Sequence, residues 1–78
     1  MPREIPIRGE TIRLGQLLKL AGLIDSGSDA RALLAVQPAL VNGEPETRRG
    51  RQLHPGDVVL LADEQLHVVA QADAPPAD

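Results

Sequence analysis

The sequence contains no cysteine and no phenylalanine, tyrosine or tryptophan. The missing thiols remove disulfide staples, zinc fingers, iron–sulfur ligation and thiol catalysis together, and they suit a reducing cytosol. The missing rings remove the platforms on which RRM sheets and most OB-folds stack unpaired bases, so those modules are excluded. Long apolar runs are missing as well. Residues 58–62 form one of the longest, at five residues, against the roughly 18 to 20 needed to span a bilayer. No basic segment leads into an apolar stretch near the start, where Arg3, Glu4 and two prolines stand, so no signal peptide is expected. The expected setting is cytoplasmic, with no membrane partner.

What is present fits one small domain. Its 78 residues fall below the usual domain size of about 100 to 150, so no second catalytic unit is expected. With 42% hydrophobic residues and no rings, the core must be aliphatic, and each residue then buries less area than an aromatic side chain would. The formal net charge is −3, which argues against indiscriminate nucleic-acid binding, but the charge is uneven. Residues 8–57 hold seven basic and six acidic side chains, whereas residues 58–78 hold four acids and no base. Arg48, Arg49 and Arg51 fall within four positions, and a Debye length of about 8 Å lets such a cluster act locally.

Helical spacing comes first along the chain. Leu14, Leu17, Leu18 and Ala21 stand at i, i+3, i+4 and i+7, one apolar stripe. Gly22 suits the left-handed position that ends a helix, with Leu23 packing back on Leu18 as in a Schellman cap. Ser26 is expected as the N-cap of a second helix, with Asp29 completing a weaker capping box. Ala30, Leu33 and Leu34 form that helix's buried face, and Pro38 ends it. Beyond Pro38 the period is that of short strands. Leu40 and Val41 run into the turn dipeptide Asn42-Gly43, Pro45 keeps that turn out of any central strand, and Pro55-Gly56-Asp57 makes a type II turn. Between the turns, residues 46–54 form an arginine-rich loop in which only Leu53 is apolar. Residues 58–62 and 66–70 read as a hairpin around Asp63-Glu64-Gln65, with residues 5–8 and 11–13 as an added edge strand. Residues 71–78 mix Pro, Ala and Asp and read as a disordered acidic tail, which sets the domain at residues 5–70.

Taken in order, residues 12–22, Ser26-Gly27, Ala30-Arg31, residues 40–51 and Gly56-Asp57-Val58-Val59 resemble the S4 RNA-binding domain, above all the small stand-alone S4 proteins of bacteria. The resemblance implies an α+β fold, the alpha-L motif, with two packed helices on a small, mostly antiparallel sheet. It also implies that RNA docks on the surface formed by the helix pair and the following strand and loop. Here that surface maps onto Lys19, Ser26, Arg31, Asn42, Thr47, Arg48, Arg49 and Arg51. Gln52 stands where such proteins commonly carry Lys.

Each of these residues also has a plainer role. The three arginines can be a solvated loop paired with Glu44 and Glu46, and Lys19 and Arg31 can be solvated helix side chains. Ser26 is first a cap, although the amides of Gly27 and Ser28 behind it can receive a phosphate, and Asn42 is first a turn residue. Arginine's planar, weakly hydrated fork nevertheless suits phosphate oxygens. His54 and Asp57 belong to a turn, not to a metal site, and no nucleophile, base and acid stand in a triad pattern. No glycine pattern cradles a nucleotide. No metal, cofactor or enzymatic activity is therefore expected. The expected function is a non-catalytic RNA-binding module, a monomer that docks structured RNA, with ribosomal RNA among the candidates, through an Arg/Lys face. The rival is a protein-interaction adaptor that retains the fold, supported by the net charge of −3 and by Gln52.

Overall fold

The apolar residues fall into helical and strand periods, and each period builds the element it demands. A computed structural model describes residues 2–71. Apart from Gln71, the tail expected over residues 71–78 lies outside the described residues. In chain order the elements are β1 (Pro2–Ile7), β2 (Ile12–Arg13), α1 (Leu14–Leu20), α2 (Gly27–Val36), β3 (Ala39–Val41), β4 (Glu44–Glu46), β5 (Gln52–Leu53), β6 (Val58–Leu61) and β7 (Glu64–Ala70).

Helix α1 buries Leu14, Leu17 and Leu18 and stops at Gly22, whose φ is +79°. The Gly22 amide donates to the Lys19 carbonyl and the Leu23 amide to the Leu18 carbonyl, each at 3.0 Å, the paired bonds of a Schellman motif. Ser26 caps α2 with its Oγ accepting from the Asp29 amide at 3.4 Å. The return half of the expected box falls one residue upstream, where the Asp29 carboxylate accepts from the Asp25 amide at 3.3 Å. Ala30 and Leu34 are buried, Leu33 half-buried, and Gln37 is extended ahead of Pro38.

Five strands form a sheet in the order β1-β7-β6-β3-β4, and β2 pairs with β5 in a separate short ladder. Every neighbouring pair is antiparallel except β1 with β7. Alternate residues (Ile5, Ile7, Ala39, Val41, Val59, Leu61, Leu66 and Val68) join Leu14, Leu17, Leu18, Ala30, Leu34 and Leu53 in one aliphatic core. The protein is thus an α+β fold with two helices packed on a mostly antiparallel sheet. Among the described residues, no helix is long and apolar enough to cross a membrane.

Three details differ from the sequence reading. The β6–β7 turn is Ala62-Asp63, both at positive φ, 52° and 65°, so Glu64 and Gln65 are strand residues opposite Leu61 and Leu60. Residues 5–8 and 11–13 do not share one edge strand, because Gly9 turns the chain at φ +79°. β1 then runs along β7 while β2 joins β5. Lastly, residues 46–54 are not all loop: Glu46 ends β4 and Leu53 is a fully buried strand residue. Pro45 lies in β4 at the edge of the sheet, where a missing amide costs no ladder bond.

Candidate nucleic-acid interface

The first amides of any helix lack intrahelical partners, and in α1 the arginine loop supplies them. The Leu14 amide donates to the Arg51 carbonyl and the Gly15 amide to the Arg49 carbonyl, each at 2.9 Å. Arginine has no acceptor with which to cap a helix, so at Arg13 it is Gln16 that closes the end, its Oε1 accepting from the Arg13 amide at 3.2 Å. Gly15 permits the close approach. A Cβ there would stand 3.3 Å from the Arg49 Cβ, 3.5 Å from its carbonyl oxygen and 3.6 Å from the Ala30 Cβ. One glycine therefore lets both the loop and α2 come against the start of α1.

The loop sends its arginines two ways. Glu46 is buried at the end of β4 and draws in two of them. Its Oε2 accepts from the Arg48 amide at 3.0 Å and from Arg48 Nε at 3.1 Å, and its Oε1 accepts from Arg48 Nη2 at 3.2 Å and Arg51 Nη1 at 3.0 Å. The side-chain hydrogen bonds of Arg48, then its backbone amide, hold the Glu46 carboxyl down at about 2 against an ordinary 4.5; burial opposes the shift and Arg51 assists it. The same contact raises Arg48 above its ordinary value.

Arg49 turns the other way, toward the helices. Its Nη1 lies so close to Gly27, the first residue of α2, that a Cβ there would stand 2.9 Å from it. Arg49 lines two adjoining depressions, one with Arg13, Gln16 and Lys19 and the other with Ser28 and Arg31. Among the described residues the ion pairs are Arg3 with Glu64, Arg48 and Arg51 with Glu46, and the longer His54 to Asp57 contact. Arg13, Lys19, Arg31 and Arg49 therefore have no acidic partner there, and Arg49 adds its charge at the positive end of the α2 dipole.

Of the residues mapped from the sequence, Lys19 and Arg31 thus each share a depression with Arg49, and Ser26 caps α2. Arg48 and Arg51 stand on the other side of the loop, lining a polar depression with His54 and Asp57. Thr47 is exposed beside them. Asn42 is engaged within the protein: at φ 51° it forms a two-residue turn with Gly43. Its Nδ2 donates to Asp57 Oδ1 at 3.1 Å and its Oδ1 accepts from the Val58 amide at 2.9 Å, tying this turn to the Pro55-Gly56 turn.

Arg13, a further candidate for phosphate contact by its charge, and Gln16, which the sequence does not single out, complete the groove. Their signal in the sequence is Gly15, a glycine inside a helical segment but off its apolar stripe, where the missing side chain leaves room for a close approach. The buried state of Glu46 had no such signal.

Residues 5–69 match the family model described as S4 domain. A protein of Bacillus subtilis (strain 168) that carries the name Probable ribosome maturation protein RlbA is 52% identical over 59 residues, covering 76% of this chain and 83% of that protein. Two helices on a mixed sheet, the match along nearly the whole described chain and this relative lead to one conclusion: the chain belongs to the S4 domain family.

Proposed function

We propose that the protein is a non-catalytic RNA-binding module that docks a folded RNA, ribosomal RNA foremost, by laying phosphates along the face of Arg13, Lys19, Arg49 and Arg31. The observation that carries this reading is the convergence of these four cations around Arg49 with no acidic partner among the described residues. Arginine offers a planar fork to phosphate oxygens and lysine a mobile point charge. Lacking rings to stack bases, the face reads shape and backbone, the usual basis for recognising paired RNA. Arg48 and Arg51 contribute less, because Glu46 holds them, and Thr47 beside them contributes less too; Asn42 is engaged within the protein, while Ser26 caps the helix that borders the face. The name of the Bacillus relative supports a ribosomal target.

A salt titration tests this. Four phosphate contacts give a log–log slope of roughly −2.8 to −3.6, so affinity for a structured RNA falls about 50- to 150-fold between 50 and 200 mM salt. A flat response overturns the phosphate face. To the net charge and Gln52 the fold adds one observation in favour of the adaptor reading: Leu40 and Leu60 pair in register on the outer side of the sheet and are exposed. Protein that carries no nucleic acid after a low-salt wash and fails to bind structured RNA fits the adaptor instead.

A further inference from the structure

An acid in an arginine loop subtracts from the charge that an RNA would meet, yet Glu46 is the buried centre of this one. Its carboxylate, 7% exposed, receives four donors on two oxygens. The residues it grips lie on either side of position 49. Arg48 precedes it, Arg51 follows it, and the Arg51 amide closes the turn on the Arg48 carbonyl at 3.2 Å. The Arg49 and Arg51 carbonyls meanwhile receive the first two amides of α1. With the backbone tied at these points, the Arg49 side chain leaves toward Gly27 and the groove.

We propose that Glu46 is a positioning residue for RNA binding, an acid that lowers the loop's charge but fixes Arg49 between the two helices. The proposal rests on the RNA-binding reading above. It also makes a prediction opposite in sign to simple electrostatics. Removing an acid from a phosphate-binding loop should strengthen binding if charge alone matters, and weaken it if Glu46 sets the position of Arg49.

The test compares Glu46→Gln, Glu46→Asp and Glu44→Gln in the full chain. It measures affinity for a structured ribosomal RNA fragment at low salt and amide hydrogen exchange in the free protein. Glutamine cannot serve four donors, because either orientation of its amide turns the NH2 toward two of them. Aspartate keeps the charge but withdraws the carboxylate by one methylene. Glu44 is exposed and one strand position from Pro45, so its removal changes charge alone. Glu46→Gln is expected to bind about tenfold more weakly, with Glu46→Asp weakened as well, and Glu44→Gln about twofold more tightly. The Leu14 and Gly15 amides should exchange faster in both Glu46 variants while the central-strand amides of Leu66 and Val68 keep their protection.

A Glu46→Gln protein that binds as well as the parent or better overturns the proposal. So does unchanged exchange at Leu14 and Gly15, and so does faster exchange that extends equally to Leu66 and Val68, which marks general destabilisation. A parent that binds no RNA instead defeats the RNA-binding reading, and the exchange data then show separately whether Glu46 holds the loop.

Discussion

Arg49 and its neighbours Arg48 and Arg51 carry the same group within four positions, yet they occupy opposite settings. Arg48 and Arg51 close on a buried carboxylate, and the three charges together leave a net charge of +1. Arg49 faces a helix start and three further cations, with no acid to balance it among the described residues. A basic run therefore offers an anion less than its formal charge, and what it offers is set by the acid folded in beside it. On the proposed reading, the phosphate contact of this loop falls to one arginine of three, and the other two give their bonds to shape.

Charge reversal gives the largest test of that difference. Arg49→Glu should weaken RNA binding on the order of 30-fold or more, the loss of a central contact. It should change stability by under about 1 kcal/mol, as exposed substitutions do. Arg48→Glu should do the reverse: it sets a second acid against the buried Glu46 and removes two of that carboxylate's four donors, those of the Arg48 side chain, so it should melt clearly earlier than the parent, with the smaller loss of binding. Thermal melts followed by circular dichroism and RNA titrations of both variants decide it. Equal losses of binding would erase the distinction.

A smaller effect comes from the glycine beneath the loop. Alanine at position 15 is worth about 1 kcal/mol to a helix, but its methyl would meet the Arg49 Cβ at 3.3 Å. The loop must yield by a few tenths of an ångström. Gly15→Ala is expected to shift stability by under about 1 kcal/mol in either direction while weakening RNA binding about fivefold. Unchanged binding would show that the placement of Arg49 is not critical.

These contrasts also mark where the sequence was legible. The stop at Gly22, the cap at Ser26 and the turns at Asn42-Gly43 and Pro55-Gly56 were readable because each uses a residue with a local conformational reason to be there. The Ala62-Asp63 turn has the same positive-φ geometry as Asn42-Gly43, but alanine carries no turn signal, so the sequence reading moved the turn onto the more polar residues that follow. The β2–β5 ladder is two residues long on each side, too short for any period to appear. Among the proposed site residues, Lys19, Arg31 and Arg49 could be grouped by motif. The partition of the arginines could not, because it depends on the burial of Glu46, and burial at the end of an edge strand is a tertiary fact. Asn42 shows the converse: its side chain, read as a candidate contact, is engaged by Asp57 and Val58 fifteen and sixteen positions away.

The smallest expected effect lies in pH, and it asks whether Glu46 is held as its geometry requires. Arg48, chiefly through its side-chain hydrogen bonds, keeps this carboxyl at about 2 in the folded protein, against 4.5 when free. A carboxyl whose folded value is depressed contributes stability that is fully present above its unfolded value and is lost as pH falls through the folded one. The contribution of Glu46 should therefore be intact above about pH 5 and disappear between about 4.5 and 2. Because the arginine partners remain in contact with solvent, it should amount to no more than about 1 kcal/mol. Comparing the melting temperature of the parent with that of Glu46→Gln from about pH 5 to pH 2 isolates this term, since every other carboxylate titrates in both proteins. The parent should lose the more stability of the two as the acid is protonated, so that the curves converge toward low pH. Curves that stay parallel would mean that Glu46 grips Arg48 and Arg51 no better than a neutral amide does, and the three arginines would then have to be treated as equivalent donors to RNA.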